Sequence, residues 1–209
     1  MSLQNNRYKR QEAQRSIRKV LIVCEGEKTE RYYFEAFQTD KELIKVEIFG
    51  AGRNKDSLVE YTIELKKKSE IKKPYSSIWC VFDRDSYPCD PKDKHKFNRA
   101  IQLAKNNQIR VAYSNDAFEI WYILHFDFHQ AAWERSRYEN KLTKLLGSKY
   151  EKNDKTMYIK LKDKQPTAIK NSKNLLATYG ASHNPELDNP CTTVHLLVEF
   201  LNDYLEGEE

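Results

Sequence analysis

Glu25-Gly26-Glu27 and Asp83-Arg84-Asp85 each follow a short apolar run, Val20 to Cys24 for the first and Ile78 to Phe82 for the second. Carboxylates are hard oxygen donors, and Glu25, Asp83 and Asp85 gathered at one point would make a ligand set for Mg²⁺ (or Mn²⁺). In an extended segment residues i and i+2 point the same way, so Asp83 and Asp85 would reach one ion while Arg84 points oppositely or turns toward a phosphate. Gly26 lets the chain turn tightly beside Glu25 and leaves room for a substrate. The same acids also fit helix caps or salt bridges, and their spacing leaves that alternative open.

For the acids to meet, the two apolar runs must be neighbouring strands. Continuous apolar runs of this length suit strands buried on both faces, as in a parallel sheet covered by helices, and ligands of such sheets sit beyond the carboxyl ends of the strands. The rest of the chain supports an α/β class with a mainly parallel four-strand sheet. Strands are expected at about 19–24, 46–49, 78–82 and 110–113. Helices are expected over 29–38, 57–69, 94–106 and 118–126, the last capped by Asp116. From about His129 onward the strand signals stop, and helices are expected near 130–146, 167–179 and 191–205, separated by Gly147, Gly180, Asn184-Pro185 and Asn189-Pro190. The expected organisation is a polar basic arm over 1–18, an α/β core over 19–128 and a helical C-terminal part over 129–209 packed on the core.

Several further residues are candidates for the same mouth. Ser114, Asn115 and Glu119 follow the fourth strand, and Glu119 lies one turn into a very apolar helix, where an unpaired carboxylate is costly. It is a candidate third acid of the metal shell or the partner of a lysine. Lys28 is a candidate phosphate contact, with Arg84, Ser114 and Asn115. Glu27 and Glu30 suit the first turn of a helix through its dipole, or else position metal or water. His125 and His129, spaced i and i+4, lack a full metalloprotease pattern and read as packed or hydrogen-bonded residues. Thr192 or Thr193 is expected to cap the final helix, with His195 a less favoured candidate for the cleft. Tyr32, Tyr33 and Tyr87 lie near the acidic mouth, as stacking surfaces for bases or as core.

Other phosphate chemistry fits less well. Lys28-Thr29 matches the end of a P-loop, but Ile22 and Glu27 stand where its glycines belong, so an ATPase cradle is excluded. Asp83-Arg84-Asp85 also matches a phosphotransferase nucleophile pattern in part, with Tyr87 where Thr or Val is usual. Cys24, Cys80, Cys89 and Cys191 have no metal-ligand spacing and read as small hydrophobes.

With 209 residues, 39% hydrophobic and 32% charged, the chain holds one substantial core plus an appendage. No apolar run approaches a membrane span and Asn5 to Lys19 lacks the apolar stretch of a signal peptide, so a cytoplasmic protein is expected. The net charge is +5, and the cations are clumped at Arg7 to Lys19, Lys66 to Lys73 and Lys152 to Lys173. Such clumps suit a polyanion or are solvated helix faces. A homo-oligomer is compatible with all of this.

Four blocks taken in order carry a family resemblance: V-L-I-V-C-E-G-E-K-T-E at 20–30, V-F-D-R-D-S-Y-P at 81–88, S-N-D-A-F-E-I-W-Y-I-L-H-F at 114–126 and N-P-C-T-T-V-H-L-L-V-E at 189–199. The chain resembles the RloB-like proteins, which are related to AbiL abortive-infection systems and regarded as Toprim-like. The resemblance implies a Rossmann-like Toprim domain, a Mg²⁺-dependent nuclease acting on DNA or RNA in antiviral defence, and an ATPase partner. It also implies general acid/base work for Glu25 and metal binding for Asp83 and Asp85. One or two such ions clamp a phosphodiester and activate water, which is consistent with that division. Two other classes stay open: a non-catalytic Toprim-like subunit that binds a partner or nucleic acid, and a small phosphotransferase or phosphatase using Asp83 as nucleophile.

Overall fold

The computed structural model describes residues 19–37, 44–48, 55–71, 74–85 and 96–206. Cys89, Tyr87, the basic run from Arg7 to Arg18, Lys72 and Lys73 lie outside the described residues. The strands are β1 (Val20–Cys24), β2 (Ile44–Ile48), β3 (Ser77–Asp83), β4 (Arg110–Asn115) and β5 (Cys191–Thr192). The helices are α1 (Thr29–Glu35), α2 (Lys55–Glu70), α3 (Lys96–Asn106), α4 (Glu119–Leu124), α5 (Arg135–Leu146), α6 (Met157–Leu161), α7 (Gln165–Ala177) and α8 (Val194–Glu206).

The strands form one sheet in the order β2-β1-β3-β4-β5, parallel except for β5. The α/β expectation holds, in a Rossmann-like arrangement. Every residue of β1 is buried, and alternate residues serve opposite faces. Val20, Ile22 and Cys24 join Trp79, Val81 and Ala112 in a core covered by α1 and α4 to α8. Leu21 and Val23 join Ile78, Cys80 and Phe82 in a second core under α2 and α3. Helices on both faces are what make the strands read as unbroken apolar runs.

β1 and β3 are neighbours, and the chain winds outward from them in both directions. The crevice at their carboxyl ends is therefore the switch point of a doubly wound sheet, where ligands of such sheets bind. α4 forms its floor, and all six of its residues are buried. A helix apolar on every side belongs inside a protein, and here it packs between the sheet and the C-terminal helices.

Several expected bounds need correction. Among the described residues the sheet has five strands, because Cys191-Thr192 pairs antiparallel with Ser114-Asn115 and α8 starts only at Val194. At the start of α4 the backbone N–H of Phe118 donates to Asp83 Oδ2 across 2.9 Å, so the strand-end aspartate holds the opening of this helix. Thr192 does cap α8, its Oγ1 accepting from Val194 N at 3.2 Å. α5 opens at Arg135 rather than near Gln130, after an extended Glu134, and closes at Gly147 with φ 67°, the left-handed turn that glycine makes without strain. Among the described residues no helix is long and apolar enough to cross a membrane.

Thr192 Oγ1 also donates to the Tyr113 carbonyl oxygen at 3.1 Å, so one hydroxyl ties the C-terminal segment to the sheet and caps α8. Thr192→Val keeps the shape and loses both bonds, and with them the 3.2 Å hydrogen bond to Ser114 Oγ. It is expected to destabilise the protein by roughly 1–3 kcal/mol in urea unfolding, and an unchanged midpoint would refute this role.

Candidate active site

The backbone brings the two acidic clusters together directly. Cys24 pairs with Val81 in the parallel ladder, and Glu25 N donates to Val81 O at 2.9 Å, so Glu25 leaves β1 alongside the end of β3. β3 ends in Asp83. Beyond it, Arg84 N donates to Ser114 O at 2.8 Å and Asp85 N to Asp116 O at 3.2 Å. Asp85 has φ 51°, a left-handed backbone that aspartate tolerates better than most residues. The alternation expected of an extended D-x-D is therefore broken after Asp83. The two carboxylates meet through a shared partner instead, not through strand geometry.

Glu25, Glu30, Asp83, Asp85 and Glu119 all line one open cleft of about 350 Å³. Its volume is at the low end for small-ligand sites and is enough for an ion and a phosphate group. Asp83 is 6% exposed; its Oδ2 accepts from Phe118 N at the start of α4, and among the described residues its Oδ1 has no hydrogen-bond partner. Glu119 is held by the Tyr150 hydroxyl, which donates to Oε1 at 3.1 Å. Glu30 lies close over Gly26, where any Cβ would run into its carboxylate. Gly26 thus leaves the space that the Glu30 carboxylate takes up against the β1–α1 turn.

So much negative charge in one cleft perturbs its members. Burial first, then the charges of Glu30 and Asp85, hold the Asp83 carboxyl well above the usual carboxylate range, with Arg135 pulling the other way. Burial raises Glu25, opposed by Lys55 and reinforced by Asp85. Burial and the neighbouring Glu119, Glu25 and Asp85 push Glu30 up to about 7. Shifts of this kind collect at functional sites.

Two cations offset part of the charge. Lys55, the first residue of α2, lies 3.3 Å from Glu25 Oε1 and 3.7 Å from Asp85 Oδ2. Arg135, the first residue of α5, reaches Asp85 Oδ1 at 2.7 Å, Asp83 Oδ2 at 3.3 Å and Glu119 Oε2 at 4.0 Å. Burial works against the Arg135 charge, but Asp83, Asp85 and Glu119 outweigh it and raise its pKa. Among the described residues no three His, Cys, Asp or Glu side chains stand in a metal-holding arrangement. Oxygen donors are not what is missing. Asp83, Asp85 and Glu119 share Arg135, and the set fits a hard divalent cation by donor type, by excess negative charge and by the unsatisfied Asp83 Oδ1.

Of the residues expected at the mouth, Glu25, Asp83, Asp85, Glu119 and Lys28 line the cleft, and Arg84 does not. Ser114 and Asn115 do not fit the substrate-contact expectation. Both are buried, Ser114 Oγ against Thr192 Oγ1 at 3.2 Å and Asn115 Nδ2 donating to the carbonyls of Pro185 and Glu186. β5 and the segment before it cover that edge, which is why a residue at a strand end is not on the surface there. His125 Nδ1 donates to the Trp121 carbonyl oxygen and the ring stacks edgewise on the Trp121 ring, away from His129, which packs on Trp133. His195 is buried and does not line the cleft. Tyr33 is core, ringed by Phe34, Phe118 and Trp121, whereas Tyr32 lies under Lys155 at 5.1 Å. Sequence reasoning missed Arg135 and Lys55, took Lys152 only as part of a basic clump and gave Glu30 mainly a helix-dipole role. The one available signal for Glu30 was its place four residues after Gly26, on a helix otherwise rich in buried aromatics.

A family model described as RloB-like protein matches residues 20–201, which includes every residue of the cleft. No curated protein and no solved structure matches the chain.

The Glu30 shift gives a signed test. A carboxyl raised in the folded state binds more protons than in the unfolded state between about 4.5 and about 7, so its contribution to stability is present below that window and is lost as pH rises through it. Glu30→Gln removes the titration. The difference in thermal midpoint between Glu30→Gln and wild type is expected to grow in favour of the variant from pH 4.5 to 7 and then level off. A difference that stays flat over that range would contradict the assignment.

Proposed function

Taking as premise that the chain belongs to the RloB-like family, we propose that it is a metal-dependent nuclease of Toprim type, hydrolysing phosphodiester bonds of DNA or RNA. The single observation that carries this reading is the convergence of Glu25, Asp83, Asp85 and Glu119 at the switch point of the sheet, with one buried carboxylate oxygen of Asp83 unsatisfied. Asp83, Asp85 and Glu119 would hold a Mg²⁺ or Mn²⁺ ion, with Glu25 beside it. The bound ion would supply neutralising charge and polarisation of the phosphate.

The chain's own residues do the rest. Glu25, whose pKa is raised chiefly by burial, accepts a proton from the attacking water at Oε1 when Lys55 yields it. The water oxygen bonds to phosphorus, the bond to the leaving oxygen breaks, and that oxygen takes up a proton. Glu30, with a pKa near 7, is placed to return one. Lys28 and Lys152 line the same cleft and draw the strand's phosphates toward it. The setting we propose is prokaryotic antiviral defence with an ATPase partner, and it rests on the family resemblance.

A second reading has one observation in its favour. Arg135 and Lys55 occupy ion-pair positions among the acids, as they would in a non-catalytic module that binds nucleic acid or a partner without cutting. The aspartyl-phosphate chemistry of a phosphotransferase is disfavoured, because burial holds the Asp83 carboxyl well above the usual carboxylate range and so weakens it as a nucleophile.

Labelled single-stranded and duplex DNA and total tRNA, each with Mg²⁺ or Mn²⁺, separate these readings. Metal-dependent cutting is expected with wild type. Glu25→Gln is expected to slow it by on the order of 10²-fold or more. Asp83→Asn, which keeps an oxygen for the Phe118 cap, is expected to abolish cutting while the protein stays folded. Full activity of the Asp83 variant in a clean preparation would overturn the assignment of the chemistry to this cleft, and metal-independent binding without cutting would favour the second reading.

A further inference from the structure

Arg135 is an unusual neighbour for a set of metal-ligand candidates, and its contacts are geometrically poor for an arginine. Guanidinium and carboxylate groups pair best as a fork, through two parallel N–H···O bonds. Here a single nitrogen, Nη2, serves both Asp85 Oδ1 at 2.7 Å and Asp83 Oδ2 at 3.3 Å. Nε is buried and makes no hydrogen bond, its nearest carboxylate oxygen being Glu119 Oε2 at 4.0 Å. Asp83 Oδ1 is likewise buried and without a partner. The guanidinium thus balances charge through one nitrogen while, among the described residues, Asp83 Oδ1 stays unsatisfied. A compact divalent cation carries twice the charge and accepts several oxygens at once.

The surroundings leave the side chain somewhere to go. Arg135 is 39% exposed at the side chain, and it stands between the acidic cleft and a second cleft bordered by Asp116, Trp133 and Asn189. A cation held by Asp83 and Asp85 would repel a guanidinium at the same oxygens, so the two are alternatives rather than companions. Displaced by an ion, Arg135 would remain at the cleft wall, where a phosphate drawn in by Lys28 and Lys152 offers it the paired oxygens it now lacks.

We infer that Arg135 is the internal counter-cation of this site: it holds Asp83 and Asp85 in the metal-free protein, yields them to a divalent cation, and then binds the phosphate of the substrate. The inference deepens the metal-dependent nuclease reading and rests on it. Its signature is that one substitution moves two affinities in opposite directions, which a structural role in anchoring α5 would not do.

The test measures Mn²⁺ binding by titration calorimetry to wild type, Arg135→Gln, Arg135→Lys and Asp83→Asn. Fluorescence anisotropy of a labelled ten-nucleotide single strand is then followed in saturating Mn²⁺, with Glu25→Gln compared against Glu25→Gln/Arg135→Gln so that chemistry does not consume the probe. Arg135→Gln is expected to bind Mn²⁺ tighter by roughly 5-fold or more and to hold the strand more weakly by a similar factor. Arg135→Lys, which keeps the charge, is expected to stay near wild type for Mn²⁺ and so to separate charge competition from loss of packing. Unchanged or weaker Mn²⁺ binding by Arg135→Gln, where wild type binds the ion and Asp83→Asn does not, would overturn this inference and leave the nuclease reading standing. Unchanged strand affinity would overturn its second half. Absence of Mn²⁺ binding by wild type and all variants would remove the metal reading and this inference with it.

Discussion

Six carboxylates sharing one cleft at the carboxyl ends of β1, β3 and β4, Glu27 among them, are the constraint around which this protein is arranged. Like charges so close, partly cut off from water, are costly unless they are protonated, paired or bound to a cation. The fold uses the first two means together. Glu30 and Asp83 have raised pKa values, and Lys55 and Arg135 are brought in as the first residues of two different helices. A site of this kind is more strained than a solvated surface needs to be. That expense is intelligible where a more highly charged partner takes over from the internal cations.

The supporting structure is consistent with this view at each level. Continuous apolar strands place β1 beside β3 with helices on both faces, which puts the loops after them at the switch point. Gly26 makes room for Glu30, Phe118 N holds Asp83 Oδ2, and Tyr150 holds Glu119 Oε1. Each of these contacts fixes a carboxylate through one oxygen or one face. A rigid set of partly satisfied acids is pre-organised for a ligand, because less ordering remains to be done when it binds.

Much of this was legible in the sequence, and the parts that were not have physical reasons. The strands β1 and β3 were visible because burial on both faces makes every residue apolar, and with them Glu25, Asp83 and Asp85. Glu119 was visible because a carboxylate at the start of a wholly apolar helix needs a partner. Arg135 was hidden: it follows Asp83 by about 50 positions and looks like any surface arginine until α5 is docked against α4. β5 was hidden because two residues give no periodicity, and without it Ser114 and Asn115 looked exposed at a strand end. The D-x-D geometry was misread because Asp85 leaves the strand into a left-handed backbone, a local choice that alternation does not reveal.

The most direct test of the central claim is anomalous diffraction from crystals grown or soaked with Mn²⁺. The account predicts an anomalous peak in the cleft between Asp83 and Asp85, with the Arg135 guanidinium moved off both carboxylates. A cleft without a peak at saturating Mn²⁺, and Arg135 still bonded to Asp83 and Asp85, would contradict it.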